Sequence, residues 1–231
     1  MEFAVDGTGK RIHALEAIKE KEYFCPLCDN KVILRQGEIN IEHFAHIKKC
    51  DDNWHYDMSE WHSEWQKQFP KNNREVVMEY NGEKHRADVL ACGYVIEFQH
   101  SPITAEEFNE RNSFYLSCGK KVIWIFDVID EFENGLIECY DEWHRNKDNG
   151  GKFRWKYSKR FLQNFLPQRD KNIIVFFQIV EADYTNKEDG YMERIIWAID
   201  EYETSSFKHF FTSYYPGNSF ELLEWIKDRK L

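Results

Sequence analysis

Residues 85–101 read His-Arg-Ala-Asp-Val-Leu-Ala-Cys-Gly-Tyr-Val-Ile-Glu-Phe-Gln-His-Ser, and the fold follows from how they are parsed. Cys92-Gly93 separates two short strands, 86–91 and 94–99, the second rich in aromatic and β-branched residues. Strand side chains two apart share a face. Val95, Glu97 and Gln99 therefore point one way, and Tyr94, Ile96 and Phe98 the other. A tight hairpin returns Asp88 towards Glu97. Two acids converging in apolar surroundings repel each other, and something must offset their burial. A divalent cation does so directly. Mg²⁺ takes oxygen ligands, and one or two carboxylates plus substrate phosphates suffice to hold it. Such an ion polarises a phosphodiester and lowers the pKa of an attacking water. The rival reading is a solvated hairpin whose acids merely face water, and the hairpin alone favours it.

The flanks add structure. Residues 75–80 alternate as a first strand, and Asn81-Gly82 is a hairpin turn leading into the Asp88 strand. Upstream, 58–69 predicts a helix with Trp61, Trp65 and Phe69 on one stripe, ended by Pro70. Ser59, His62 and Gln66 form a neighbouring stripe. Downstream, Thr104 and Glu107 form a capping box, and a helix runs to about Leu116, closed by Gly119. Arg111 and Tyr115 lie one turn apart on it. Arg111 has three readings: neutralising a substrate phosphate, neutralising the paired acids, or a surface ion pair. Residues 122–126 are continuously apolar, as in a parallel strand buried on both faces.

"HRADV", "VIEFQHSPI", Arg111 with Tyr115, and "KKVIWIFDV" together resemble the nuclease domain of the competence protein CoiA-like family. That family is assigned to the PD-(D/E)XK nuclease superfamily. The resemblance implies an α/β (α+β) restriction-endonuclease-like core: helix, three-stranded antiparallel meander, helix, parallel strand. It places Mg²⁺ or Mn²⁺ on Asp88 and Glu97. Gln99 stands where the superfamily usually has Lys. An amide positions water but brings no charge, so Arg111, Lys120 or a second metal would have to help. "SEWHSEWQKQF" resembles the family's Trp-His helix, which would put His62 at the edge of the site, on a phosphate or a metal-bound water. The alternative is a histidine bridging helix and sheet. Glu60 and Glu64 are weaker candidates as further metal contacts.

Ahead of the core stands Cys25-Pro-Leu-Cys28, then "HFAH" with His43 and His46, then Cys50. Residues 31–35 and 39–44 read as a hairpin that brings the two pairs together, close to a structural zinc ribbon or knuckle. A disulfide is the rival, and a secretory signal that would support it is not visible. Cys25 and Cys28 are the firm ligands and His46 joins them. His43 competes with Cys50 for the fourth place, and the family resemblance favours both histidines.

With 42% hydrophobic and 31% charged residues, the chain suits a globular protein. No apolar run reaches the length of a membrane span, so a cytoplasmic, non-membrane protein is expected. Net charge −10 argues against indiscriminate coating of nucleic acid but not against a local basic channel. Lys152, Arg154, Lys156, Lys159 and Arg160, interleaved with Trp155 and Tyr157, form one candidate nucleic-acid surface, or simply a solvated basic face. Three units are expected: a zinc-binding module (1–55), the nuclease core (56–130) and an α/β extension packing on it (131–231). The expected function is hydrolysis of single- or double-stranded DNA, in DNA uptake or genome defence, with a protein partner or a second copy as further candidates. The alternatives are a catalytically silent DNA-binding or assembly module on the same fold, and a purely structural zinc protein.

Overall fold

The computed structural model describes residues 1–36, 42–47, 54, 59–139, 151–156, 172–179, 195–203 and 207–214, the last strands and 151–156 by backbone alone. Cys50, Lys159 and Arg160 lie outside these, and Lys152, Arg154 and Lys156 are placed only as backbone.

The chain begins with strands β1 (Phe3–Asp6), β2 (Arg11–His13), β3 (Tyr23–Phe24), β4 (Lys31–Arg35) and β5 (His43–His46). They form an antiparallel sheet in the order β2-β1-β3-β4-β5 around Ala4, Ala14, Tyr23, Val32 and Phe44. Helix α1 (Glu60–Lys67) follows, with the Ser59 side chain accepting from the His62 N–H at its start. Then come β6 (Arg74–Tyr80), β7 (Glu83–Ala91), β8 (Tyr94–Gln99), α2 (Ala105–Ser117) and β9 (Lys121–Asp127). Thr104 caps α2 through the Glu107 N–H, as the capping box requires.

Both hairpin turns are left-handed at their two central residues. Asn81 and Gly82 have φ 51° and 83°, and Cys92 and Gly93 have 50° and 86°. This is the geometry whose twist matches that of paired strands, and Asn-Gly adopts it readily. It fixes the register Ala91↔Tyr94, Leu90↔Val95, Val89↔Ile96.

β8 and β9 run parallel, as do β9 and β12 (Ile173–Gln178). The parity of β9 explains its unbroken apolar run. Val122, Trp124 and Phe126 join the core under α2 with Val95, Phe108 and Tyr115. Ile123 and Ile125 join Trp65, Phe69, Ile96 and Phe98 under α1.

The remaining elements are α3 (Ile129–Glu133), β10 (Ile137–Cys139), β11 (Gly151–Lys156), β13 (Ile195–Glu203) and β14 (Phe207–Tyr214). Their strands continue the same sheet, whose full order is β10-β11-β14-β13-β12-β9-β8-β7-β6. The extension expected to pack on the core thus lengthens its sheet sideways. The structure is a mixed α/β fold with two sheets. Among the described residues no helix is long and apolar enough to cross a membrane.

The two sheets are fastened at the turn between α1 and β6. Arg74 donates Nε to the Phe69 carbonyl (2.7 Å) and Nη2 to the Lys67 carbonyl (2.9 Å), closing α1, and its Nη1 meets Glu2 Oε2 at 3.4 Å. Glu75 accepts the N–H groups of Glu2 (2.9 Å) and Phe3 (3.1 Å), which docks β1. Its burial pushes the carboxyl up. The Arg86 charge, the Met1 ammonium and those two N–H bonds outweigh the burial, and the net pKa falls below the usual value. Glu75 holds φ 46°, a strained value for a residue with a Cβ. Glu75→Ala keeps that strain and orphans two buried N–H groups, at about 1–3 kcal/mol each. The urea unfolding midpoint should fall accordingly.

Candidate functional site

The β7–β8 ladder stops at Val89↔Ile96. On its other edge β7 pairs with β6 at Arg74↔Val89 and Val76↔Ala87, skipping Asp88. Backbone groups this deep must be bonded to something, and two acids take over. The Phe98 N–H donates to Asp88 Oδ2 (2.9 Å), and the Asp88 N–H donates to Glu97 Oε1 (3.3 Å). Each carboxylate therefore binds the other's strand. This reciprocity draws the pair together in the interior, with Glu97 2% exposed and Asp88 8%.

Both helices converge on the pair. From α2, the Tyr115 hydroxyl donates to Glu97 Oε1 (2.9 Å) and Arg111 Nη1 donates to Oε2 (3.0 Å). Arg111 also gives Nη2 to Glu107 (2.5 Å) and to the Trp54 carbonyl (3.4 Å). From α1, His62 Nε2 lies 3.2 Å from Asp88 Oδ1, and Gln66 donates to the Asp88 carbonyl at 3.3 Å. The indoles of Trp61 and Trp65 hold α1 in place by donating to Gln178 Oε1 on β12, at 2.9 and 2.7 Å.

Burial first, then the Asp88 charge, push the Glu97 carboxyl up to about 8. The Arg111 guanidinium, the Tyr115 hydroxyl and the Asp88 N–H pull the other way and lose. Burial and the neighbouring Glu97 likewise raise the Tyr115 hydroxyl well above its ordinary value. One guanidinium therefore does not offset two acids at this depth. A cation bound between them would favour the ionised pair, and two carboxylates suit a hard one.

The expected site residues divide. Asp88, Glu97, Arg111 and His62 come together. His62, expected at the site edge, is only 2% exposed and bridges α1 to the sheet behind Asp88. Arg111, 3% exposed, pairs with the buried acid and is not a surface ion pair. Gln99 shares the face of Glu97, but its Nε2 is committed to the Ser101 carbonyl at 2.5 Å. Glu64 pairs with Lys67 on the outside of α1. Gln178 and Glu75 escaped the sequence reading. A polar residue inside the apolar run of 173–178, with tryptophans four apart on a helix to receive it, was the signal for Gln178. Glu75 carried none, since its partners are backbone groups 72 and 73 residues away.

In the N-terminal sheet, Cys25 Sγ, Cys28 Sγ and a ring nitrogen of His46 lie within 4.8 Å of one another, a group fit to hold a metal ion. His46 Nε2 is 3.5 Å from Cys28 Sγ. The Leu27 N–H donates to Cys25 Sγ at 3.4 Å, the turn geometry that aims both thiols inward. His43 does not belong to the group. It stands opposite Arg35 on β5, three residues from His46 and hence on the other face. The strand period of two parts His43 from His46, while Cys50, its competitor for the fourth place, lies outside the described residues. His43→Ala should leave bound metal unchanged, whereas Cys28→Ser should release it, as counted by metal analysis of the purified proteins.

Residues 8–52 match the model for the competence protein CoiA N-terminal domain, and residues 56–190 match that for its nuclease-like domain. No curated protein and no solved structure matches the chain. The nuclease-like match spans more than half of the sequence and contains both acids, both helices that serve them and the parallel strand behind them, so the chain belongs to the competence protein CoiA family.

Proposed function

We propose that the chain is a metal-dependent nuclease of the PD-(D/E)XK type that hydrolyses DNA phosphodiester bonds during DNA uptake and processing. One observation carries this reading. Asp88 and Glu97 are buried together, each accepting an N–H from the other's strand, with Arg111 paired to Glu97. The order α1, β6-β7-β8, α2, β9 supports it, being the element order of that superfamily.

Asp88 and Glu97 would hold Mg²⁺ or Mn²⁺. When bound, such an ion supplies Lewis acidity towards phosphate and a more acidic water. The chain's own residues prepare the acids. Arg111 and Tyr115 fix Glu97, while His62 and the Phe98 N–H fix Asp88, so the carboxylates need little rearrangement on binding. Cys25, Cys28 and His46 would hold a structural Zn²⁺, with a fourth ligand from elsewhere in the chain.

A second reading is a catalytically weak DNA-binding or assembly module. The committed Gln99 amide favours it, since that position neither carries charge nor leaves its N–H₂ group fully available. The deciding experiment incubates purified full-length protein with linear, circular and single-stranded DNA, and with RNA, across Mg²⁺, Mn²⁺ and Ca²⁺. Cleavage of DNA with Mg²⁺ or Mn²⁺ supports the first reading. Intact substrates with retained binding support the second.

A further inference from the structure

Beyond Glu97, β8 runs on to its open end, where the chain carries a histidine–aspartate pair that the acid site does not use. His100 Nδ1 and Asp127 Oδ2 are 2.7 Å apart. His100 follows β8 directly, and Asp127 closes β9, the parallel neighbour of β8. The carboxyl ends of adjacent parallel strands are where open α/β sheets bind their ligands.

Asp127 is nearly buried and held in place. Its Oδ1 accepts the Ile129 N–H at 3.2 Å, so Oδ2 is presented in a fixed direction. A carboxylate accepting from Nδ1–H fixes the ring and turns Nε2 outward, and in the protonated ring that nitrogen is a second N–H donor, able to donate to a phosphate oxygen. The His100 side chain is 55% exposed, and among the described residues Nε2 has no partner. The Gln99 amide bonded to the Ser101 carbonyl braces the bend that carries His100.

The pair lies on the α1 side of the sheet, as Asp88's histidine does. The Trp61 ring stands 6.2 Å from His100 and 6.3 Å from Phe98, and Phe98 in turn is 5.6 Å from His62, which touches Asp88. His100 lies three positions beyond Glu97, a span of at most about 11 Å. An oriented, exposed imidazole at that remove from the acid pair cannot serve the phosphate held between the acids. It suits the next one along the same strand.

We propose that His100, oriented by Asp127 and flanked by Trp61, contacts a backbone phosphate adjacent to the one cleaved, making the site selective for polynucleotides over isolated phosphodiesters. Asp127 is a positioning residue that acts through His100. This rests on the nuclease reading.

The test compares two substrates in the full-length protein with Mn²⁺: a single-stranded oligonucleotide, and bis(p-nitrophenyl) phosphate, which has one phosphate and no neighbour. His100→Ala should raise KM for the oligonucleotide about tenfold, the worth of one hydrogen bond to a charged group. It should change kcat less than threefold and leave the small diester untouched. Asp127→Asn should give a smaller shift, and the double variant should match His100→Ala alone. Equal losses on both substrates, or none on either, overturn the proposal. If the unaltered protein cleaves neither substrate, the nuclease reading falls separately. The subsite is then decided by binding of a fluorescently labelled oligonucleotide in Ca²⁺: tenfold weaker binding by His100→Ala supports it, and unchanged binding or no binding by the unaltered protein overturns it.

Discussion

Asp88→Asn should lower Mg²⁺- or Mn²⁺-dependent DNA cleavage by on the order of 10²–10³-fold or more, the scale on which removing one preorganised electrostatic group acts. The substitution is chosen for what it keeps. The amide oxygen still accepts the Phe98 N–H, and the amide N–H₂ takes the place that faces His62, so the interrupted ladder remains bonded. Only the charge goes. Asp88→Ala removes the acceptor as well and orphans a buried N–H, so it should lose stability in addition to activity. The two variants together separate folding from chemistry. Far-ultraviolet circular dichroism and a urea titration report the first, and initial rates on a labelled oligonucleotide report the second. A near-normal rate for Asp88→Asn would mean that no cation depends on this acid, and the enzymatic reading would fail.

The second large effect concerns pH. In the folded protein Glu97 releases its proton only near pH 8, against 4.5 for the ordinary carboxyl. The native state therefore binds this proton more tightly than the unfolded chain does. The resulting stability is complete below about pH 4.5 and is lost as pH rises through about 8. A tenfold difference in proton affinity is worth about 1.4 kcal/mol, so the loss amounts to several kcal/mol. Glu75 has the opposite sign. Its depressed carboxyl contributes stability above the ordinary carboxylate range and gives it up as pH falls. Without added Mg²⁺ or Mn²⁺, the unfolding midpoint should thus decline between about pH 5.5 and 8.5. Glu97→Gln should flatten that decline and be the more stable protein at the alkaline end, though inactive. Added Mn²⁺ should flatten it in the unaltered protein, because a cation stabilises the ionised form. A Glu97→Gln curve that falls as steeply as the original would assign the titration to another group.

Such a variant would show that the acid pair is retained at the expense of the fold. Burying one charge beside a like charge destabilises the sheet, and Arg111, Tyr115 and His62 only reduce that cost. The surrounding structure is correspondingly over-built. Two indoles fix one glutamine, one arginine closes α1 and reaches the N-terminal sheet, and one glutamate anchors β1. Rigid elements on both faces hold two carboxylates where they would otherwise separate.

Local pattern was enough to place the meander, the two helices and the doubly buried strand, because alternation, capping and left-handed turns are written within a few residues of where they act. It was also enough to face Glu97 away from Phe98 and to bring Asp88 back towards it, since a two-residue turn fixes register. Three things needed the folded chain. His43 left the metal group because strand parity, which depends on where β5 begins, sends it to the face opposite His46. His62 and Arg111 became buried supports because only packing decides whether a helix stripe meets solvent or another charge. His100 found Asp127 across 27 residues, at the ends of strands that become neighbours only when the crossover closes. Sequence specifies what each segment can be. Which side chains meet is settled by tertiary contacts, whose energies belong to pairs of residues far apart in the chain.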